Sequence, residues 1–390
     1  MTPVDITDIH LEAQSRYDTF IEDLRTLVNI DCGTYVPQGV NLIADFMQDR
    51  LRAEGWAVER VPHAPAEGEP QLGDTLIARL EAQGSGRHVL MVGHMDTVFP
   101  DGTAVARPFR IEGTTAYGPG VSDMKGGLLA GLYAMSCLRA VGFDDFARIT
   151  YVCNPDEEIG SPMSGPLILD RAKEADVCFV LEGARENGDI VSSRKGVKDL
   201  RIVVTGRAAH AGVEPERGRS ATLQAAHTTI DLHQLNGRWP GVTVNVGVIQ
   251  GGTRPNIVCD RCELHVDVRA PTAESFRDAL EEVERVAGTT TVPDTSVEVK
   301  AMSGFPPMEK TEPTARLVER AKAIASELGF ELNDAPTGGA SDANPVAGMG
   351  IPTLDGLGPV GGTDHAPGEW LDLTSIAPRM ALLAGLIASP

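Results

Sequence analysis

Apolar positions in the first part of the chain recur three and four residues apart. FIEDLRTLVNI (20–30) and NLIADFMQDRLRAEG (41–55) carry that spacing, and the second ends on a glycine, so both are predicted as helices. LIARL (76–80) reads as a strand. HVLMVG (88–93) is an unbroken apolar run, the mark of a strand covered on both faces. DMKGGLLAGLYAMSCLRAVG (123–142) reads as a buried helix with a glycine end. ARITYVC (147–153) and DVCFVLEG (176–183) are two more strands, separated by a helix at GPLILDRAKEA (165–175). Strands alternating with helices predict an α/β fold, a mainly parallel sheet with helices on both faces.

After about Lys195 the period changes. KDLRIVVTGRA (198–208) alternates like a half-exposed strand, and a helix follows at SATLQAAHTTIDLHQL (220–235). Two alternating strands come next, VTVNVGVIQGG (242–252) and NIVCDRCELHVDVRA (256–270). An amphipathic helix (271–288) and a last strand, TSVEVKAMSG (295–304), complete the order β-α-β-β-α-β of a ferredoxin-like α+β sandwich. The pattern predicts this domain at 196–304, inserted between 1–195 and 305–390. The return carries a helix (314–329), a Gly-rich segment (336–370) and a final helix (374–389). There is no internal repeat and no low-complexity tract.

A chain of 390 residues exceeds one ordinary core, which fits two domains. The formal charge of −21 argues against nucleic acid and anionic membranes as partners, because both need basic patches. The segment MTPVDITDIHLEAQSRYDTF lacks the basic and apolar regions of a signal peptide, and no apolar run reaches the roughly 18 residues of a membrane span. Six scattered cysteines suit a reducing cytoplasm. The pair in CDRC, Cys259 and Cys262, has metal-like spacing but no second pair. It lies within a predicted strand, where an offset of three puts the thiols on opposite faces, so a structural role is expected.

Ligands of open α/β sheets bind at the carboxyl ends of the strands. HVLMVG runs into His94 and Asp96, ITYVCNP into Asp156, Glu157 and Glu158, and VCFVL into Glu182. Asp123 starts a helix after AYGPGVSD, and His365 lies in GGTDHAPGEW. Taken singly, each is ordinarily a solvated side chain, and acidic triplets are common at helix starts. Their joint placement at strand ends points to a two-cation site, where imidazoles and carboxylates bind and one carboxylate bridges. Glu157 and Glu158 can divide two jobs, general base and ligand. An Asp two residues after a ligating His can hold its other ring nitrogen. For Asp156 the expectation is solvent or a helix N-terminus.

GHMDTV, YGPGVSDMKGG, NPDEEIGS, VLEG and GTDHAPGE, in that order, resemble the motifs of the dinuclear-zinc aminoacylase/carboxypeptidase metallopeptidases. That family includes glutamate carboxypeptidase, which the chain most resembles, with acetylornithine deacetylase and succinyl-diaminopimelate desuccinylase. The resemblance covers nearly the whole chain. It implies that His94 and Glu182 hold one zinc, Glu158 and His365 the other, and that Asp123 bridges them. Cobalt or manganese also suits such donors. It further implies Glu157 as general base, Asp96 orienting His94, and a cis peptide after Asp123. VTGRAAHAG is similar to the segment whose histidine, here His210, reaches the neighbouring subunit's active site, which implies a homodimer and a lid and dimerisation role for the inserted domain. GGTRPNIV and VDVRA imply Asn256 and Arg269 as ligands of the substrate carboxylate. GGASDAN implies the same for Gly339 and Ser341. The segment AMSGFPPMEK departs from the glutamate-specific members, with Phe305 and Pro306 where a basic residue is expected. The implied activity is hydrolysis of an amide bond in a small peptidyl or N-acyl amino acid with a free carboxylate. A deacylase is the alternative. A silent binding protein would have lost a ligand or base, and none is missing. A two-metal phosphoesterase would want more histidines and basic residues.

Overall fold

The computed structural model describes residues 5–82 and 86–389; Met1–Val4, with which the sequence reading of the N-terminus began, lie outside them. The chain divides into two compact units. One comprises residues 1–192, 310–336 and 341–390, and the other 193–309 and 337–340.

The larger unit is built on a six-stranded sheet. From one edge to the other its strands are Ala57–Val61, Thr75–Glu81, Arg148–Asn154, His88–His94, Val177–Val180 and Thr353–Leu354. Three ladders are parallel (148–154 with 88–94, 88–94 with 177–180, 177–180 with 353–354) and the two at the Ala57 edge are antiparallel. Ile149–Asn154 and Val177–Val180 are buried throughout, as a sheet covered on both faces requires. The helices Gly126–Ala140 and Ile376–Ile387, apolar nearly all round, pack against each other within the core. Gly127 lets the first of them approach the strand end, because a Cβ there would lie 1.7 Å from the carbonyl oxygen of Leu181.

Two elements of this unit escape the periodicity. Ile6–Ser15 is a helix, capped by the Asp5 side chain, and Ala57–Val61 is an edge strand. A second sheet joins Arg110–Glu112, Thr115–Tyr117, Trp370–Asp372 and Gly361–Gly362. Its strands are two or three residues long, too short to show a period.

The smaller unit carries the order Gly196–Thr205, helix Ala221–His233, Thr243–Gly251, Arg261–Ala270, helix Ala273–Ala287, Ser296–Phe305. All its ladders are antiparallel, with the first strand beside the last and the third between the first and second. Arg261–Ala270 buries alternate residues against the two helices. This strand starts at Arg261, not Asn256, so Cys259 lies before it. Strand alternation therefore does not separate the two thiols. Cys259 and Cys262 are both buried in the same core, and the Cys259 thiol donates to the Arg261 carbonyl at 3.0 Å.

Candidate metal centre

The parallel ladders bring the acidic strand ends to one edge. His94 is the register partner of Asn154, and Val92 that of Val180. The turn after Asn154 and the residues after Val180 therefore leave the sheet beside His94. Asp96, 1 % exposed, organises this edge. Its carboxylate accepts from the Thr34 hydroxyl at 2.6 Å and from the backbone N–H groups of Glu157 and Glu158 at 3.2 and 3.3 Å. His94 Nδ1 lies 3.0 Å from the Asp96 carbonyl oxygen and 3.4 Å from its carboxylate. The carbonyl thus holds the Nδ1 proton and leaves Nε2 bare for a cation. Nε2 faces Asp123 Oδ1 at 3.0 Å and Glu182 Oε1 at 3.7 Å.

Asp123 and His365 come together through the short-stranded sheet. Thr115–Tyr117 pairs with Trp370–Asp372, so the Asp123 loop and the His365 loop leave adjacent strands. Glu369, 1 % exposed, staples them: its carboxylate accepts from the N–H groups of Gly120, Ser122 and Asp123 at 2.8, 2.8 and 3.0 Å. Lys125 Nζ donates to the carbonyls of Ile30 and Pro119 behind the same loop. The Asp123–Met124 peptide is cis. Thr363 and His365 take left-handed backbone angles (φ 57° and 62°), which aim the imidazole at the centre at a cost in strain. His365 Nε2 lies 3.0 Å from Asp123 Oδ2 and 3.1 Å from Glu158 Oε2.

Each oxygen of Asp123 therefore faces one imidazole, with Glu182 beside the first and Glu158 beside the second. Ligand atoms of His94, Glu157 and Glu182 lie within 4.8 Å of one another, as do those of His94, Asp123 and Glu158. Burial opposes the charge on Asp123, but the two imidazoles outweigh it and hold its carboxyl well below the usual range. Burial, then Glu182, pushes Glu157 far up. Burial raises Glu182 to about 7, and the bonds to Asp123 and Glu158 raise His365 to about 11. This electrostatic conflict is what two divalent cations would relieve. The donor set fits them, and Glu158 Oε1 is buried with no hydrogen-bond partner, a lone pair left for an ion.

A model of the peptidase family M20/M25/M40 matches residues 90–389. The chain belongs to that family. Carboxypeptidase G2 of Pseudomonas sp. (strain RS-16) is 32% identical over 370 residues, 94% of this chain and 88% of the relative. Acetylornithine deacetylase of Edwardsiella ictaluri is 28% identical over 320 residues, 77% of this chain and 79% of the relative. The crystal structure of aminopeptidase PepT from Bacillus cereus superposes with a TM-score of 0.77 at 25% identity, covering 95% of this chain and 98% of that one. This M20 peptidase is accordingly a metal-dependent hydrolase of amide bonds in peptides or N-acyl amino acids.

The remaining singled-out residues of the M20 chain fall into two groups. Within the smaller unit, His210 is exposed and bridges to Ile257, which puts it beside Asn256. The Gly212 N–H donates to His210 Nδ1 at 3.2 Å, so a neutral ring presents its proton on Nε2. Arg269 is held by both oxygens of Asp267 and donates to the Gly338 carbonyl at 2.8 Å, while Arg194 donates to the Gly339 carbonyl at 3.1 Å. Within the larger unit, Ser341 is 1 % exposed; its hydroxyl donates to Asp355 at 2.7 Å and accepts from the Ala343 N–H at 3.1 Å. Asp156 is fully buried, not solvated. It accepts from the N–H groups of Met163 and Ser164 and from the Ser164 hydroxyl, just before the helix Gly165–Ala172. Sequence reasoning passed over Glu369 and Thr34. Glu369 stands in the quoted GTDHAPGE string and had a signal; Thr34 has none outside the fold. Among the described residues no helix is long and apolar enough to cross a membrane.

Proposed function

We propose that this chain is a two-zinc, carboxypeptidase-like hydrolase of small peptidyl or N-acyl amino acids with a free carboxylate. One observation carries the reading: a carboxylate with each oxygen 3.0 Å from a different imidazole, and a further acid beside each ring. His94 and Glu182 would hold one ion, His365 and Glu158 the other, and Asp123 both. Mixed imidazole and carboxylate donors suit zinc, with cobalt or manganese as substitutes. When bound, the ions polarise the amide carbonyl and acidify the attacking water.

The chain supplies the rest. Glu157 takes a proton from the attacking water and passes it to the leaving amine nitrogen. Two features support it over Glu158: its carboxylate has no hydrogen bond among the described residues, and burial among acids raises its proton affinity. His210, from the partner subunit of a homodimer, would donate its Nε2 proton to the carbonyl oxygen as charge develops. Asn256, Arg269 and the backbone around Gly339 would fix the substrate carboxylate. That gives selection for a chain end. Phe305 and Pro306, where a basic residue would serve glutamate, favour a less polar side chain or acyl group. Six free, buried cysteines support a cytoplasmic enzyme.

The deacylase reading differs only in the bond presented to the same centre. Metal-reconstituted hydrolysis of a panel of dipeptides and N-acyl amino acids separates the two, with Glu157→Ala as control. Full activity of that variant with its metals bound would refute the mechanism.

A further inference from the structure

Among the described residues no hydrogen bond anchors the carboxylate of Glu157, so its place is set by the loop that carries it. That loop, Asn154–Ser161, leaves the sheet at Asn154 and turns back at Ser161, which adopts a left-handed backbone (φ 50°). Between them Asp96 fixes the N–H groups of Glu157 and Glu158 from one side. The two ends meet a second carboxylate. Asp342, 1 % exposed, accepts from Asn154 Nδ2 at 2.7 Å through one oxygen and from the Ser161 hydroxyl at 2.5 Å through the other. Asn154 Nδ2 and Ser161 Oγ are themselves 3.4 Å apart.

No cation contacts Asp342 among the described residues. A buried carboxylate held by two neutral donors is costly, and burial raises it to about 6. A neutral amide of the same shape would join the two partners more cheaply. It would not fix them as well, because an ionised carboxylate only accepts. Asn154 must then turn its amide nitrogen inward and Ser161 must donate. The Asn154 oxygen is left buried without a partner, which shows that its orientation is set by Asp342 and not by its own needs. Asn154 is in turn locked to the His94 strand end, where its carbonyl accepts from Met95 N–H at 2.7 Å.

We infer that Asp342 is a positioning residue for the general base: it closes the Asn154–Ser161 loop at both ends and so sets where the Glu157 carboxylate stands relative to the His94 edge. This rests on the assignment of Glu157 as base. A displacement of about 1 Å in a reacting group can cost about a hundredfold in rate, so a loosened clamp should appear in kcat.

The test uses the metal-loaded enzyme and three variants. Asp342→Asn is expected to lower kcat about 10- to 100-fold, with KM and bound metal within twofold of wild type. The exchange N154D/D342N moves the acceptor-only group to the other side of the pair and is expected to recover at least tenfold of that loss. Wild-type kcat in Asp342→Asn, or a kcat loss that tracks loss of metal or of folded protein in both variants, would overturn the inference. Glu157→Ala, measured alongside, keeps the two ideas apart: if it is active, the base assignment fails, and if it is inactive while Asp342→Asn is unimpaired, only the positioning role fails.

Discussion

Replacing Glu369 by glutamine perturbs the support beneath the shared carboxylate without touching a ligand. In the native chain one Glu369 oxygen accepts from Gly120 N–H and the other from Ser122 and Asp123 N–H, at 2.8, 2.8 and 3.0 Å. Glutamine can keep its single oxygen toward Ser122 and Asp123, but it then turns an NH2 group onto the Gly120 N–H. Flipping the amide strands the other two donors instead. In either rotamer at least one buried N–H loses its acceptor and meets a donor. An unsatisfied buried donor costs about 1–3 kcal/mol, and the surviving bonds weaken as they lose their charge. If that cost falls on the Asp123 loop, the expected effect is metal retention weakened about 10- to 100-fold, the usual range for a partner behind a ligand. The assay is the rate of metal transfer to a chromophoric chelator, with kcat measured at saturating metal. Excess metal should restore most of the lost kcat. Wild-type transfer rates in Glu369→Gln would refute the idea that the staple holds the centre. So would a kcat loss that no metal concentration repairs.

Three further outcomes are expected. Glu157→Gln should retain both metals and lose about 10²- to 10⁴-fold in kcat, read by metal analysis beside steady-state kinetics. His210→Ala should lower kcat more than it raises KM, and mixing it with Glu157→Gln should regain part of the activity if the histidine acts across a dimer; no recovery in mixed dimers sinks the cross-subunit role. The third concerns pH. Burial lifts Glu182 and Glu369 to about 7, and His365 is raised to about 11 by Asp123 and Glu158. Groups that bind protons more tightly when folded stabilise fully below their unfolded pKa, about 4.5 for the acids and 6.5 for the imidazole, and that contribution fades as pH rises through the folded values. The gap in Tm between metal-loaded and metal-free protein should therefore widen from about pH 5 to about pH 8, with protons released on loading. A gap independent of pH would count against it.

The parts of the centre that the sequence made legible are those tied to strand ends. The apolar run 88–93 fixes where His94 and Asp96 must emerge, and the strands 147–153 and 176–183 do the same for Glu157, Glu158 and Glu182. Parallel pairing then does the rest, because register partners end at one edge. The short-stranded sheet was not legible: three-residue strands have no period, and Trp370 pairs with Tyr117 across the length of the inserted unit. Asp96 carries more than its spacing from His94 predicts: its carboxylate lies 3.4 Å and its carbonyl 3.0 Å from His94 Nδ1, and the same carboxylate accepts from Thr34, Glu157 and Glu158, contacts that no local pattern announces. Of the two places expected for Asp156, solvent and a helix N-terminus, it takes the second, buried under the N–H groups of Met163 and Ser164 just before the helix Gly165–Ala172.

The pairing of Trp370 with Tyr117 also dictates an order of events during synthesis. His94, Asp123, Glu157, Glu158 and Glu182 are all made before the inserted unit, and His365 and Glu369 only after it. A nascent chain therefore carries a cluster of mutually repelling acids whose second imidazole does not yet exist. Contacts between residues so distant in the chain form late. In the proposed centre His365 can join the other ligands only once the 361–372 segment has docked on Thr115–Tyr117, so an ion held by His365 and Glu158 would be the later of the two to be captured.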